Sequence, residues 1–186
     1  MTDTTPNYLI EVDELQELLE HPDLRLFDAT VLFTPDEDGA LAASSGFDAY
    51  TTARIPGAGF FDHLGHFADA DSPLRNTLLG IDELHKAIGA AGIGADHQVV
   101  LYSSQFLMWS TRAWWMLHYA GHNNVRVLNG GLAAWQSAGL AIETGSHSYP
   151  PTAFEATVRP QRYASKQTIA CVSNNKEQRR QCERLL

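Results

Sequence analysis

The 186-residue sequence predicts an α/β fold with a mainly parallel central sheet flanked by helices. Segments whose apolar residues recur at helical spacing alternate with short strand-like segments along the chain. Two of the strand-like segments, residues 98–102 and 125–128, are almost continuously apolar, which is typical of parallel strands buried on both faces. The strand–helix–strand order therefore indicates one mainly parallel sheet.

In the first part of the chain, apolar residues at helical spacing predict a helix over 12–20, and a turn leads from it into a strand over 24–28. Residues 34–45 are polar and contain proline and glycine, so we expect a loop there. A short helix over 47–53 must end before the next proline, and a small strand over 58–61 follows.

In the second part of the chain, residues 65–79 read as a loop. A helix over 82–91 ends at a glycine, and a helix over 106–119 carries three tryptophans. The last helix of the domain covers 131–138 and also ends at a glycine. These elements complete the alternation of strands and helices.

The composition changes near Gly145, which predicts a domain boundary. We expect one α/β domain over 8–145 and a Ser-, Thr- and Pro-rich linker over 146–161. Residues 162–186 form a helical tail that has too few apolar residues for a core of its own. Ser165 is a plausible N-cap for its first helix. The tail is either the truncated start of a second domain or an aberrant sequence, for example from a shifted reading frame.

The charge balance excludes some functions. The net charge is −9, which argues against generic binding to nucleic acid or to an anionic membrane. Residues 1–161 hold 20 acidic and 7 basic residues, whereas residues 162–186 hold 2 and 6. We interpret the basic tail as a solvated helix rather than as a nucleic-acid arm.

The N-terminus has no apolar signal-peptide region, and no stretch of the sequence is apolar enough to span a membrane. The two cysteines, Cys171 and Cys182, both lie in the tail, so a disulfide framework is not expected. We read them as free thiols. The cytoplasm is the expected compartment.

Four motifs in the sequence carry a resemblance to a known family. Arg54-Ile55-Pro56-Gly57-Ala58 precedes Phe60-Phe61-Asp62, and Leu26-Phe27-Asp28-Ala29 ends the first strand. Arg112-Ala113-Trp114-Trp115-Met116-Leu117 lies in the tryptophan helix, and Val127-Leu128-Asn129-Gly130-Gly131 precedes the last helix. These motifs, in this order, resemble the rhodanese family of sulfurtransferases. The motif in the tryptophan helix resembles that of the N-terminal, non-catalytic domain of a two-domain member. Arg54 replaces the usual histidine of the first motif.

The resemblance implies sulfur transfer through a cysteine persulfide in the intact family member, from thiosulfate or 3-mercaptopyruvate to cyanide or a thiol. It implies no metal or organic cofactor. The cysteine of active domains follows the strand equivalent to residues 98–102 and begins a tight loop that contains glycine. Ser103 stands at that position here, and the residues that follow it include no glycine. The sequence therefore predicts a site without its nucleophile.

A serine nucleophile would need a base and an oxyanion hole, and no G-x-S-x-G motif surrounds Ser103. We expect Ser103 and Ser104 to satisfy backbone groups at the start of the following helix. The resemblance also implies that mercaptopyruvate-using members lend an Asp and a His to the cleft. Asp62 matches the Asp, whereas Asn76 occupies the place of the His, and Arg75 is a candidate for holding an anion. Asp28 completes the set of expected cleft residues.

Eight histidines raise the question of a metal site. His118 and His122 have i,i+4 spacing, and His63 and His66 share a loop, but no zinc motif surrounds either pair. We therefore expect surface histidines and no metal.

Three functional hypotheses remain open. The first is a structural domain that supports a catalytic second rhodanese domain, with small sulfur-containing anions as ligands of the intact enzyme. The second is a stand-alone rhodanese-like binding or regulatory module without cysteine, and the third is an unrelated α/β enzyme. The sequence does not identify the sulfur donor or acceptor, the oligomeric state or the stability of the isolated chain.

Overall fold

The computed structural model describes residues 7–35, 38–166 and 168–169. Strands and helices alternate along the chain as the sequence predicts. The strands are β1 (Leu9–Ile10), β2 (Leu24–Asp28), β3 (Val31–Pro35), β4 (Leu41–Ser45), β5 (Gly59–Phe60), β6 (Gln98–Tyr102) and β7 (Val125–Leu128). The helices are α1 (Val12–Leu18), α2 (Phe47–Thr52), α3 (Ile81–Ala90), α4 (Leu107–Ala120) and α5 (Gly131–Ser137), followed by a 3₁₀ turn over Pro160–Arg162.

Five strands form a parallel sheet in the order β1-β7-β6-β2-β5. The central pair is in register from Leu24 opposite Gln98 to Asp28 opposite Tyr102. All five strands run in the same direction, so their carboxyl ends share one edge. The predicted fold class is confirmed.

The central strand β6 divides the core into two clusters because its successive side chains point to opposite faces. Val99 and Leu101 join the cluster that packs under α3 and α4. Val100 and Tyr102 join the cluster that packs under α1, α2 and α5. Burial on both faces explains why the strand is apolar throughout.

The prediction of a loop over 34–45 is wrong in part. Val31–Pro35 and Leu41–Ser45 pair as an antiparallel hairpin, β3–β4, beside the main sheet. The strand β1 was not predicted, because two residues are too few to show a period. Other elements differ from the prediction mainly at their ends; for example, the tryptophan helix begins at Leu107.

The segment that the sequence suggests as a linker lies along the domain. The hydroxyl of Tyr149 accepts the Leu26 N–H at 3.0 Å and donates to the Gly57 carbonyl at 2.8 Å. Phe154 is buried, and the Arg159 N–H donates to the Tyr119 carbonyl at 2.8 Å. We call residues 147–163 the strap. Its backbone and side chains are fixed to the domain at several separate points.

Beyond the strap, the hydroxyl of Ser165 accepts the Thr168 N–H at 3.0 Å, as an N-cap does. Cys171 and Cys182 lie outside the described residues. Within the part of the chain that the structure describes, no helix is long and apolar enough to cross a membrane.

Candidate functional site

Three of the parallel strands end in polar residues at one edge of the sheet. Asp28 is the last residue of β2, Ser103 follows β6, and Asn129 follows β7. This is the edge at which ligands of open parallel sheets bind.

A network of hydroxyl groups joins Asp28 to the loop after β6. Asp28 Oδ1 accepts the Thr30 N–H at 2.8 Å and also the Thr30 hydroxyl. The Thr30 Oγ1 lies 3.1 Å from the Ser104 hydroxyl and accepts the Ser104 N–H at 2.8 Å. Thr30 is therefore the link between the two strand ends. Its place two residues after Asp28 is the one feature of the sequence that points to this role.

Asp28 is fully buried, and burial raises the pKa of its carboxyl to about 6. The Thr30 hydroxyl and N–H, and to a lesser degree the Tyr102 hydroxyl, lower this pKa but do not offset the burial. The second oxygen, Oδ2, has no partner at good hydrogen-bonding geometry, although Tyr102 is near. Burial, and next the Asp28 charge, raise the pKa of Tyr102. Tyr102 remains protonated and its hydroxyl accepts the Ile55 N–H at 3.2 Å.

The loop after β6 satisfies its own backbone. The Ser103 hydroxyl, buried at 7% exposure, accepts the Gln105 N–H at 3.3 Å, and Thr30 takes the Ser104 N–H. Ser103, which was expected to satisfy backbone groups at the start of the next helix, accepts the N–H of the residue just before its N-cap. The N-cap of α4 is Phe106, which makes no side-chain capping bond. The hydroxyls thus occupy the first N–H groups that an anion in this loop would use.

Gly131 closes the loop from the side of α5. Its φ is +59°, and a Cβ at this position would collide with the Ser103 carbonyl oxygen. The same carbonyl accepts the Leu132 N–H at 3.2 Å. The start of α5 is therefore bonded to the loop and restricts its shape.

Asp62, Arg75 and Asn76 lie in the long loop between β5 and α3. Asp62 Oδ1 accepts the N–H groups of Leu64 and Gly65 at 3.1 and 3.0 Å, so it shapes a turn. Asn76 has a φ of +58°, and its carbonyl accepts a bond from Arg112 at 2.5 Å.

These three side chains are separate from the hydroxyl network. Among the described residues, no hydrogen bond or ion pair joins them to Asp28, Ser103 or Ser104. The fold therefore places the predicted cleft residues in two groups.

An exposed apolar patch adjoins the loop. Phe106, Leu107 and Met108 are 47%, 53% and 54% exposed. Phe106 contacts the hairpin through Phe33, with ring centroids 5.7 Å apart. Trp109, the next residue in the sequence, is buried, because it is on the inner face of the first turn of α4. Surfaces of this kind beside a functional edge are typical of protein interfaces.

The expectation of surface histidines is wrong for His63, His118 and His122, which are all buried. Burial is the main cause that lowers the pKa of each imidazole to about 4. His63 Nε2 bonds the Trp109 carbonyl at 2.9 Å, so it supports α4. The described part of the chain contains no cluster of three or more metal-ligating side chains.

A parallel sheet with helices on both faces, and a strand-to-helix loop at its carboxyl edge, defines an α/β domain of the kind that holds anions at strand ends. A rhodanese-like domain model matches residues 11–138. The chain belongs to the rhodanese-like domain family and is homologous to 3-mercaptopyruvate sulfurtransferases.

Three relatives illustrate the similarity. The 3-mercaptopyruvate sulfurtransferase of Escherichia coli K12 is 32% identical over 154 residues, covering 83% of this chain and 53% of the relative. The sulfur carrier protein TtuD of Thermus thermophilus is 34% identical over 154 residues, which cover 83% of this chain and 48% of that protein. The crystal structure of SseA from Escherichia coli superposes with a TM-score of 0.77 at 28% identity. The superposition covers 91% of this chain and 63% of SseA. The chain spans about half the length of the curated relatives it matches.

Proposed function

We propose that this domain is the non-catalytic half of a two-domain sulfurtransferase, where it forms one wall of the cleft beside a catalytic second rhodanese domain. The intact enzyme would move sulfur from thiosulfate or 3-mercaptopyruvate to cyanide or a thiol. This chain would supply support and not the nucleophile. We propose the cytoplasm as its compartment, where thiols stay reduced.

The observation that carries the proposal is the chemistry of the loop after β6. A persulfide carrier needs a thiolate at neutral pH, which converging N–H groups stabilise. Here the residue is Ser103, and residues 1–170 contain no cysteine. The Ser103 hydroxyl and Thr30 accept the N–H groups of Gln105 and Ser104. A serine hydroxyl is a poor sulfur carrier, and the N–H groups of this loop already have hydrogen-bond acceptors.

The second domain is the proposed partner of the exposed patch. Phe106, Leu107 and Met108 lie next to the site loop, where a second wall of a cleft would pack. The match to the mercaptopyruvate sulfurtransferase of Escherichia coli covers only 53% of that relative, which supports a second domain in the intact protein. Asn76 replaces the expected proton-relaying histidine, so we favour thiosulfate as donor. Arg75 is available to attract a small sulfur-containing anion.

The direct test measures thiocyanate formation from thiosulfate and cyanide by the purified chain. We expect no turnover above that of heat-inactivated protein. The matched control replaces Cys171 and Cys182 by serine, since these are the only thiols that could contribute. Turnover that survives this double replacement would refute the proposal, because it would require a nucleophile other than cysteine.

A further inference from the structure

The strap crosses the face of the domain that α3 and α4 form. The Thr152 N–H donates to the Gly89 carbonyl at 2.9 Å, and the Arg159 N–H donates to the Tyr119 carbonyl at 2.8 Å. At the far end, the Trp115 indole N–H donates to the Arg162 carbonyl at 2.9 Å. Between these bonds the strap is held by side chains, and the ones beneath it include several histidines.

Phe154 is the anchor of the strap, and two imidazole rings contact it. The ring centroid of His122 is 5.9 Å away in a nearly parallel orientation, and that of His85 is 5.2 Å away edge to face. His122 Nε2 bonds the Gly94 carbonyl at 3.2 Å, and His85 Nε2 bonds the Ala120 carbonyl at 2.9 Å. The carbonyl bonds fix the rings, so Phe154 enters a preformed slot.

A third imidazole binds the strap through a polar contact. His118 Nδ1 lies 3.3 Å from the Arg159 guanidinium nitrogen NH1, which can only donate. Nδ1 must therefore be the acceptor, and the ring proton is on Nε2. This Nε2 is buried without a partner, beside the rings of Tyr8 and Trp114. The contact requires a neutral His118.

The charges that face these rings oppose protonation. His118 faces Arg162, Arg159 and His122, and none of the carboxylates in the described part of the chain acts on it. His122 faces His97 and Arg159, which lower its pKa, and Asp96, which raises it. His122 Nδ1 is buried without a partner, so a proton there would find no acceptor. Burial first, and these cations second, lower the pKa of both imidazoles to about 4.

We propose that the strap is an acid-releasable element: its attachment to α3 and α4 requires neutral His118 and His122, and protonation detaches it while the sheet stays folded. Each ring is neutral in the attached state and free to ionise in the detached state. Attachment is therefore complete above the ordinary histidine pKa of about 6.5 and weakens as pH falls towards 4. Between pH 7 and 4.5 each histidine weakens attachment by roughly 100-fold.

Hydrogen exchange of the full chain, followed by mass spectrometry at pH 7 and pH 4.5 and corrected for intrinsic rates, tests the proposal. We expect peptides that contain Thr152 and Arg159 to lose protection at pH 4.5 by 100-fold or more, while the β6 peptide remains protected. Unchanged protection of the strap, or parallel loss in the strap and β6, would overturn it.

Matched variants identify the titrating groups. His118→Gln with His122→Gln keeps neutral hydrogen-bonding groups, and we expect its strap to stay protected at pH 4.5. His66→Gln, which changes an exposed histidine, should release its strap as the unmodified chain does. If the double variant does not fold, NMR titration of the unmodified chain decides: imidazole midpoints below 5 for His118 and His122 support the proposal, and midpoints between 6 and 7 overturn it.

Discussion

Asp28→Asn tests whether the buried carboxyl at the end of β2 destabilises the domain at neutral pH. Asparagine has nearly the same shape, and its amide oxygen can accept the N–H and hydroxyl of Thr30 as Oδ1 does. The substitution removes the ability to ionise and places an NH2 group at the position of Oδ2. At a pH where Asp28 is protonated, we expect the two proteins to have nearly equal free energies of unfolding.

The size of the effect follows from the pKa of Asp28. Burial raises this pKa from 3.8 to about 6, so the native state binds a proton more tightly than the unfolded chain does. Stability is therefore lost as pH rises from about 4 to about 6. One pKa unit corresponds to about 1.4 kcal/mol, so the ionised carboxylate costs roughly 3 kcal/mol at pH 7. Asp28→Asn avoids this cost.

Urea unfolding at several pH values between 4 and 7.5 measures the difference. We expect Asp28→Asn to gain roughly 2–3 kcal/mol relative to the unmodified chain as pH rises. Titrating histidines contribute equally to both proteins and cancel. A constant difference for Asp28→Asn, or one that turns against it at pH 7.5, would refute the reasoning.

Three further predictions concern the site loop and its surroundings. Gly131→Ala should lower the free energy of unfolding by about 2 kcal/mol or more, measured in urea, because of its positive φ and the collision with the Ser103 carbonyl. Gly139 also has a positive φ, but a Cβ there would meet open space, so Gly139→Ala should lower the free energy of unfolding by less. An equal loss in the two variants would show that the collision does not contribute. Ser103→Cys, in a chain without its two native cysteines, should give a thiol of ordinary pKa, about 8.5, and no sulfur transfer. An alkylation midpoint below about 7 with sustained turnover would contradict this. Leu107→Ser with Met108→Ser should reduce self-association, measured by sedimentation, and the binding of a dye that reports apolar surface. Unchanged self-association and dye binding would show that the patch does not mediate contacts between copies of the chain.

The sequence was sufficient to predict the parallel sheet because its strands are buried on both faces and read as apolar runs. The hairpin β3–β4 was missed for the opposite reason. Its second strand, Leu41–Ser45, consists mostly of small and half-buried residues with no clear alternation, and Pro35 ends the first. Pairing between neighbouring strands therefore holds much of it together, with Val31 and Phe33 as its packed side chains.

The site could be predicted in position but not in contacts. Strand ends placed Asp28 and Ser103 at one edge, whereas the linking role of Thr30 depends on a bond across 74 positions of sequence. The buried histidines were misjudged for a related reason. The partners of His63 and His122 are backbone carbonyls of remote segments. Every residue has a backbone carbonyl, so the residue types in the sequence do not reveal such a partner.

The position of β1 has a consequence for how the chain folds during synthesis. Leu9 and Ile10 pair with Val127 and Leu128, so the first strand of the domain can pair only after the last strand has been synthesised. Until β7 has left the ribosome, β1 has no neighbour in the sheet and the apolar side of α1 has an incomplete surface to cover. Contacts between distant parts of a chain form slowly, because the intervening loop must first be closed at an entropic cost. The nascent domain therefore keeps part of its apolar surface uncovered until nearly all of it has been made.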